Sequence, residues 1–451
     1  MFYLNKDIPL TVELLHKMIE KFNLEDKPRL MKYKRYYDGE QSILGKSYAD
    51  TSKPCNKIIT NYAKNIADAY AGYLAAPGYI SYKSEYDIEH IMDVLRYNDY
   101  QEEDASFLLD VLIYGKAVEL MYIDSDSKTR FRLINPTTCF GIYDDSLSGD
   151  LLYFVRMYKA NPWDSSDLHI VEVYDNYSKK TYQMAGVNGT PHFIKEEQHY
   201  FSQCPANIFY LADERSIFDC ILSLQDAANK LLSAEVDDFE AFCDAYLVIE
   251  GGNIDNEEKG SDGLTDAQRM KKNRLLLMPE GAKAYWLTKN ANDAQIENIM
   301  KRIHESIYRI AQCPDFSSES FVGGVSSGIA IRYRLCGMEN RAAKIAAEMK
   351  KALQRRIEVI CGVASLALGE EVYRDIQIEF KRNIPEDLTA TINMINTLKG
   401  TVSDATLLAQ LPFIPDVQAE LAALEEQKAA NMEMYGLGAF GISAEEEEAE
   451  E

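Results

Sequence analysis

The sequence has no paired cysteine spacing, few histidines, no long apolar run and a shortage of basic residues, and each lack removes a class of protein. Its eight cysteines are scattered from Cys55 to Cys361, which suits reduced, mostly buried thiols rather than a disulfide framework. Only six histidines are present, none at ligand spacing from another histidine or a cysteine, so neither a metal nor a cofactor is expected. The best apolar run, Val359 to Leu368, is short of the roughly 20 residues that span a bilayer. Met1-Phe2-Tyr3-Leu4-Asn5-Lys6-Asp7 leads into no uninterrupted apolar core, so no secretory signal is expected and the chain reads as soluble, without a membrane partner. With 48 Lys and Arg against 72 Asp and Glu the formal charge is −24. That argues against a protein that grips nucleic acid, because phosphate affinity comes from clustered Lys and Arg. It leaves room for one that lets DNA slide past. Part of the excess lies in Ala444-Glu445-Glu446-Glu447-Glu448-Ala449-Glu450-Glu451, a solvated acidic tail, and the rest of the chain is acidic without it.

What is present is 451 residues, 46% of them hydrophobic and 27% charged, enough for two or more domains. The most informative stretch runs from Asp213 to Arg334. Ile217, Ile221, Leu224, Ala228 and Leu231 form one apolar stripe, and Ile296, Ile299, Ile303, Ile307 and Ile310 form a second. Such spacing puts one seam on each helix and leaves the remaining girth polar. A neighbour on one side and water on the other would satisfy it, in a ring of copies around an aqueous channel or in a bundle within one chain. The spacing by itself does not choose.

Helical pattern is expected over Leu10–Phe22, Lys57–Leu74 and Asp87–Tyr114. From Ala117 the period changes to two. Strands are expected over Val118–Ile123, Phe131–Ile134, Leu151–Tyr158, Leu168–Tyr174 and Lys180–Met184, with Asn188-Gly189 as a hairpin turn. Asp213 is a candidate N-cap for a helix reaching Cys243. Tyr246–Glu250, Leu275–Met278 and Ala284–Leu287 have strand character, with a short helix over Leu264–Asn273. Asn292 or Asp293 caps the second stripe helix, which stops at Cys313-Pro314. A long helix is expected from Gly328 to Leu368, kinked near Gly337, then a strand over Ile376–Phe380 and helices over Pro385–Thr397, Asp404–Gln410 and Pro415–Lys428.

Two motifs come close to catalytic signatures and depart from them. Gly39 and Gly45-Lys46-Ser47 are separated by five residues where a phosphate loop has four, and no buried apolar strand precedes them. Gly324-Val325-Ser326-Ser327-Gly328 has the nucleophile-elbow spacing, but polar residues precede it and His304, the last histidine, lies upstream. The glycines fit a loop and a tight helix entry, with Ser326 or Ser327 as N-cap. No enzyme is expected. The basic group Lys344, Lys350, Lys351, Arg355 and Arg356 is interleaved with Glu348 and Glu358. It is expected on a solvated face, or against an acidic neighbour across a subunit interface.

The order of these elements, with the words around them, resembles the phage portal proteins, the siphophage-type family with wing, stem, clip and crown. The words are Tyr36-Tyr37-Asp38-Gly39-Glu40-Gln41-Ser42-Ile43-Leu44, Lys53-Pro54-Cys55-Asn56-Lys57-Ile58-Ile59-Thr60-Asn61-Tyr62-Ala63 and Gly72-Tyr73-Leu74-Ala75-Ala76-Pro77. They continue with Asp110-Val111-Leu112-Ile113-Tyr114-Gly115-Lys116-Ala117, Ile307-Tyr308 through Pro314-Asp315-Phe316, and Ser327-Gly328-Ile329-Ala330.

The resemblance implies an α+β, mainly helical chain. Residues 1–212 would be a wing with a helical then a β-rich part, 213–243 and 291–314 two stem helices, and 244–290 a small α/β clip between them. Residues 315–327 would be a tunnel loop, in which Phe316, Ser317, Ser318, Glu319, Ser320, Phe321, Val322, Gly323, Gly324, Val325 and Ser326 form the channel constriction. Residues 328–383 would be a long wing helix and its following strand, 384–436 a helical crown and 437–451 the acidic tail. The implied role is a head-to-tail connector: a ring of twelve subunits at one capsid vertex of the virion, assembled in the host cytoplasm. Double-stranded DNA would pass through it without sequence specificity. The implied partners are the terminase large subunit, head-completion or adaptor proteins, the major capsid protein and the scaffolding protein. The other reading is a structural ring or filament adaptor without DNA passage.

Overall fold

The computed structural model describes residues 1–50, 53–75, 78–163, 165, 167–243, 246–250, 265, 281, 283–287, 293–317, 328–363, 370–382 and 388–408. Beyond these it describes 410, 411, 417, 420–424, 426 and 427. Two units are distinguishable: Met1–Gly324 with Tyr333–Asn383, and Val325–Arg332 with Ile384–Glu451.

The first unit opens with a strand, β1 (Phe2–Leu4), and two helices, α1 (Val12–Lys21) and α2 (Lys27–Asp38). Thr11 caps α1 by accepting from the Leu14 N–H. Gly39, at φ +86°, ends α2 by turning its chain left-handed. Helix α3 (Tyr62–Leu74) starts five residues later than periodicity suggests. Residues 57–61 are neither helix nor strand; the N–H groups of Ile58 and Thr60 are taken by side chains of another helix. The helical region expected over Asp87–Tyr114 consists of two helices, α4 (Glu89–Tyr97) and α5 (Tyr100–Tyr114), after the strand β2 (Ile80–Lys83). Asn98 makes the break. Its amide donates to the carbonyls of Val94 and Thr129 and accepts from the Phe131 N–H, while Asp99 is left-handed at φ +51°.

The period-two region forms two sheets. The strands β3 (Lys116–Ile123) and β4 (Thr129–Leu133) pair with β10 (Ala206–Tyr210) in the order β10-β3-β4. The larger sheet has the order β1-β5-β6-β7-β8-β9, where β5 is Cys139–Asp144, β6 Leu151–Lys159, β7 Leu168–Tyr174, β8 Ser178–Ala185 and β9 His192–Gln198. Only the β1–β5 pairing in it is parallel. Asn188-Gly189 lies in the β8–β9 hairpin, as expected. Strands β1, β2, β5, β9 and β10 escaped the sequence reading. They are short, continuous without alternation, or, in β9, exposed throughout.

Gly115 joins α5 to β3 at φ +78°, and a Cβ there would lie 2.6 Å from the Arg215 backbone. The segment after β10 therefore packs directly over this glycine: Leu211 donates to the Gly115 carbonyl and Ile217 to that of Leu112. That docking uses residues 211–218, so the helix expected from Asp213 begins later, as α6 (Leu222–Cys243) after a single tight turn at 219–221.

A hairpin of β11 (Tyr246–Glu250) and β12 (Lys283–Leu287) follows, paired antiparallel from Tyr246↔Leu287 to Glu250↔Lys283. The expected helix over 264–273 and strand over 275–278 lie outside the described residues, apart from Thr265. Helix α7 (Asp293–Ala311) comes next, then the long α8 (Gly328–Cys361), which continues through Gly337; the expected extension over 364–368 lies outside the described residues. After α9 (Glu370–Asp375), β13 (Gln377–Phe380) pairs antiparallel with β2. In the second unit α10 (Leu388–Leu398) and α11 (Asp404–Leu408) are joined by a turn at Gly400. Among the described residues no helix is long and apolar enough to cross a membrane.

Candidate functional site: the helix pair and the base of the serine-glycine loop

Helices α6 and α7 carry the two stripes, and their side chains are unequally covered. Ile217 and Ile221 are fully buried ahead of α6, Ala228 is buried within it, and Leu224 and Leu231 are half-buried. On α7 only Ile307 of the five isoleucines is fully buried. Ile296 and Ile303 are half-buried, and Ile299 and Ile310 are 41% and 45% exposed. The second stripe thus leaves apolar surface uncovered within one chain.

Not all of the polar girth of α6 faces water. Gln225, Asn229, Ser233 and Asp237, four residues apart, are all buried, and each accepts a backbone N–H from the segment after Cys55. Asp237 takes that of Asn56 at 2.6 Å, Ser233 that of Ile58 at 2.9 Å, Asn229 that of Thr60 at 2.9 Å and Gln225 that of Ala63 at 3.0 Å. The match is geometric. Four helical residues rise about 6 Å, and two residues of extended chain advance about 6.6 Å. From Asn56 to Thr60 every second N–H of an antiparallel segment therefore meets every fourth side chain of the helix, and Ala63, three residues on in the first turn of α3, completes the series.

The motif residues near Gly45 belong to the same contact. Lys46 gives its ammonium to Asp237 and lies 5.1 Å over the Tyr48 ring, and the Tyr48 hydroxyl also donates to Asp237. Tyr36 and Ser42 donate to Asp226, about three turns nearer the start of α6. Burial alone would raise the Asp237 carboxyl, but the donors from Asn56, Lys46 and Tyr48 hold it at about 2.

At its far end α7 meets α3. The Tyr62 hydroxyl is 3.1 Å from His304 Nδ1, and His304 Nε2 is 2.8 Å from Asp315. Tyr308 stacks edge-on against both rings. Burial, with Asp315 nearby, raises the Tyr62 hydroxyl pKa. Asp315 sits low, because bonds from Ser317 and His304 outweigh its partial burial. Phe316 is 43% exposed, and Ser317 is exposed and donates back to Asp315 through both N–H and hydroxyl. Ser318, Glu319, Ser320, Phe321, Val322, Gly323, Gly324, Val325 and Ser326 lie outside the described residues, as does the nucleophile-elbow spacing at 324–328 up to Ser327.

Of the basic group, Lys344, Lys350 and Lys351 are exposed, Lys351 pairing with Glu348. Arg356 corrects the expectation of a solvated or inter-subunit face. It is fully buried and pairs with Asp104 and Glu119 of its own chain. No group of three or more His, Cys, Asp or Glu poised to hold a metal ion occurs among the described residues.

The sequence matches the family described as "Phage portal protein, SPP1 Gp6-like" over residues 16–434. The chain belongs to the phage portal family. The portal protein of Bacillus phage SPP1 is similar to it at 21% identity over 458 residues, covering 94% of this chain and 88% of the relative. The portal landmarks quoted from the sequence map onto the contacts just described. Tyr36, Gln41 and Ser42 reach the polar flank of α6, Asn56 to Ala63 lie along it, and Asp110 to Gly115 carry the segment that precedes it.

Asp110, within one landmark, makes a pH prediction. Burial, opposed by Lys34, raises its carboxyl pKa from 3.8 to about 6. A carboxyl held above its unfolded value favours folding most at low pH, and that contribution is lost as pH rises through about 6. Asp110→Asn is therefore expected to stabilise the portal chain at pH 7.5 by about 1–2 kcal/mol and to have little effect at pH 4. Denaturant midpoints at the two pH values check it.

Proposed function

We propose that this chain forms the ring-shaped portal at a unique capsid vertex, through which double-stranded DNA is packaged and ejected. The observation that carries the reading is the family match over residues 16–434. The helix pair α6 and α7 bracketing the β11–β12 hairpin supports it. In this reading residues 1–212 and 328–383 form the wing, 213–243 and 291–314 the stem, 244–290 the clip, 315–327 the tunnel loop and 384–436 the crown. Residues 437–451 remain an acidic tail. The ring has twelve subunits. Its clip docks the terminase large subunit during packaging and head-completion proteins afterwards. Wing and crown face major capsid protein, scaffolding protein and packaged DNA. The site of action is the virion vertex, reached by assembly in the host cytoplasm.

The charge supports passage rather than capture. Every favourable phosphate contact is a barrier to the next step of a sliding duplex, and a chain of net charge −24 supplies few. Phe316 with Phe321 and Val322 would offer steric contact without charge, and Glu319 would add repulsion. Force would come from the terminase, since the portal family is structural.

Electron microscopy of the purified full chain, with mass measurement in parallel, tests the reading. A closed ring with a bore wide enough for a duplex is expected. A ring too narrow for DNA, or a filament, would replace it with the adaptor reading. Deleting 318–326 is expected to impair packaging or DNA retention while rings still form; unchanged packaging would remove the constriction role.

A further inference from the structure

The carboxyl end of α7 is held by groups from two other helices. The Tyr70 hydroxyl, from α3, lies 3.1 Å from the Ala311 carbonyl and 3.0 Å from that of Gln312. Arg341, on α8, donates from Nη1 to the same Ala311 carbonyl at 2.9 Å. Its Nη2 donates at 2.9 Å to the carbonyl of Ile217, in the buried turn that leads into α6. The guanidinium also lies 5.7 Å from the Tyr70 ring centre. A helix carboxyl terminus exposes unpaired carbonyls and a partial negative charge, so a cation there is favourable. Arginine is suited to the position because its rigid fork serves two acceptors at once. Gln312 is left-handed, at φ +53°, so the chain turns away immediately beyond this contact.

We propose that Arg341 is a coupling residue that makes the end of α7 and the entry to α6 move as one body with α8. One planar group bridges two carbonyls from segments on opposite sides of the β11–β12 hairpin, so a shift of α8 must displace both or break one bond. Tyr73, on the face of α3 that also carries Tyr70, strengthens the frame: its hydroxyl donates to Glu339 on α8, which Arg382 holds from the end of β13. In the portal reading, on which the functional half of this inference rests, Arg341 sets the two stem helices and the base of the tunnel loop in register. It is a positioning residue and touches no DNA.

Hydrogen–deuterium exchange on the full chain tests the coupling. Arg341→Gln cannot bridge both carbonyls, and it is expected to accelerate exchange in residues 308–317 and 216–222 together, by about tenfold in each. Tyr70→Phe removes only the bonds to α7 and is expected to loosen 308–317 alone. Acceleration in one segment only, or in neither, with Arg341→Gln overturns the proposal. If that variant does not fold, Arg341→Lys carries the test: its single ammonium cannot hold both carbonyls in one rigid fork, so both segments are again expected to exchange faster, by a smaller factor. Acceleration in one segment alone would count against the coupling. Wild-type exchange in both would overturn the coupling. In rings, Arg341→Lys is expected to reduce DNA retention without altering subunit number. Unchanged retention in intact rings would end the functional half. Failure of the wild-type chain to form rings at all would instead count against the portal reading, and the exchange result would stand separately.

Discussion

Arg356→Met is expected to destabilise the protein by about 3–5 kcal/mol, the cost of removing one partner from a buried ion cluster. Arg356 is fully buried on α8, its Nε 3.0 Å from Glu119 of β3, with further ion pairs to Glu119 and to Asp104 of α5. Its guanidinium lies 4.5 Å from the Phe131 ring centre and 5.7 Å from that of Phe107. The carboxylates have other donors: the Tyr82 hydroxyl reaches Asp104 and the Asn207 amide reaches Glu119, each at 3.0 Å. Those neutral groups cannot replace a positive charge. Without Arg356 two carboxylates remain buried, and Asp104, whose carboxyl pKa burial already raises, would bind its proton more tightly folded than unfolded. The sign follows: the loss should be largest near neutral pH and shrink as pH falls toward 5. Adding Asp104→Asn and Glu119→Gln should restore much of the stability, since removing all the charges is far less costly than orphaning two. Urea denaturation at pH 5 and 7.5 measures both effects. A loss below about 1 kcal/mol at pH 7.5 would mean that the cluster is solvated and does not anchor α8.

The second large effect is expected from the polar flank of α6. Asn229→Ala removes the acceptor for the Thr60 N–H and hydroxyl and the donor to Gln41. Leaving such buried groups unpaired costs about 1–3 kcal/mol each, so a loss of about 2–4 kcal/mol is expected. Asn229→Asp, which keeps the acceptor, should recover part of it. Asp237 gives this contact an acid dependence. Its carboxyl is held at about 2 against an ordinary 3.8, so its contribution is fully present above pH 3.8 and lost as pH falls toward 2. Asp237→Asn should flatten the acid limb of the stability profile in that window. Limited proteolysis should at the same time find residues 46–60 more readily cut in both variants. If the segment stays protected in both, it is held by something other than these bonds.

These two clusters mark where sequence reading ran out. Helix α6 was legible as amphipathic, but Gln225, Asn229, Ser233 and Asp237 were read with its water-facing residues. Their four-residue interval was visible; what it contacts was not, because a polar side chain looks the same toward water and toward a backbone N–H. Lys57 to Asn61 read as helix because the apolar spacing there is helical, yet the bonds to α6 outcompete helix formation. Arg356 was grouped with Lys350 and Lys351 for the same reason. Charge type is written in the sequence, whereas burial depends on what α5 and β3 bring against it. The hairpin at Asn188-Gly189 was legible because a turn is decided by the residues in it. The break at Asn98 was not, since its partners Thr129 and Phe131 lie on another strand.

The sequence by itself determined the class of this protein. It set the acidic, histidine-poor composition, the succession of helical and alternating segments, and the ordered landmarks that place it with the phage portals. Those properties are local or cumulative along the chain, so no folding is needed to read them. Only the tertiary structure decided which polar residues are buried, that Lys46 serves Asp237, that Arg356 anchors the long helix, and that Arg341 joins the ends of α7 and α6. Each is a pairing between residues far apart in sequence, and the free energy of a polar group is set by its partner and its distance from water.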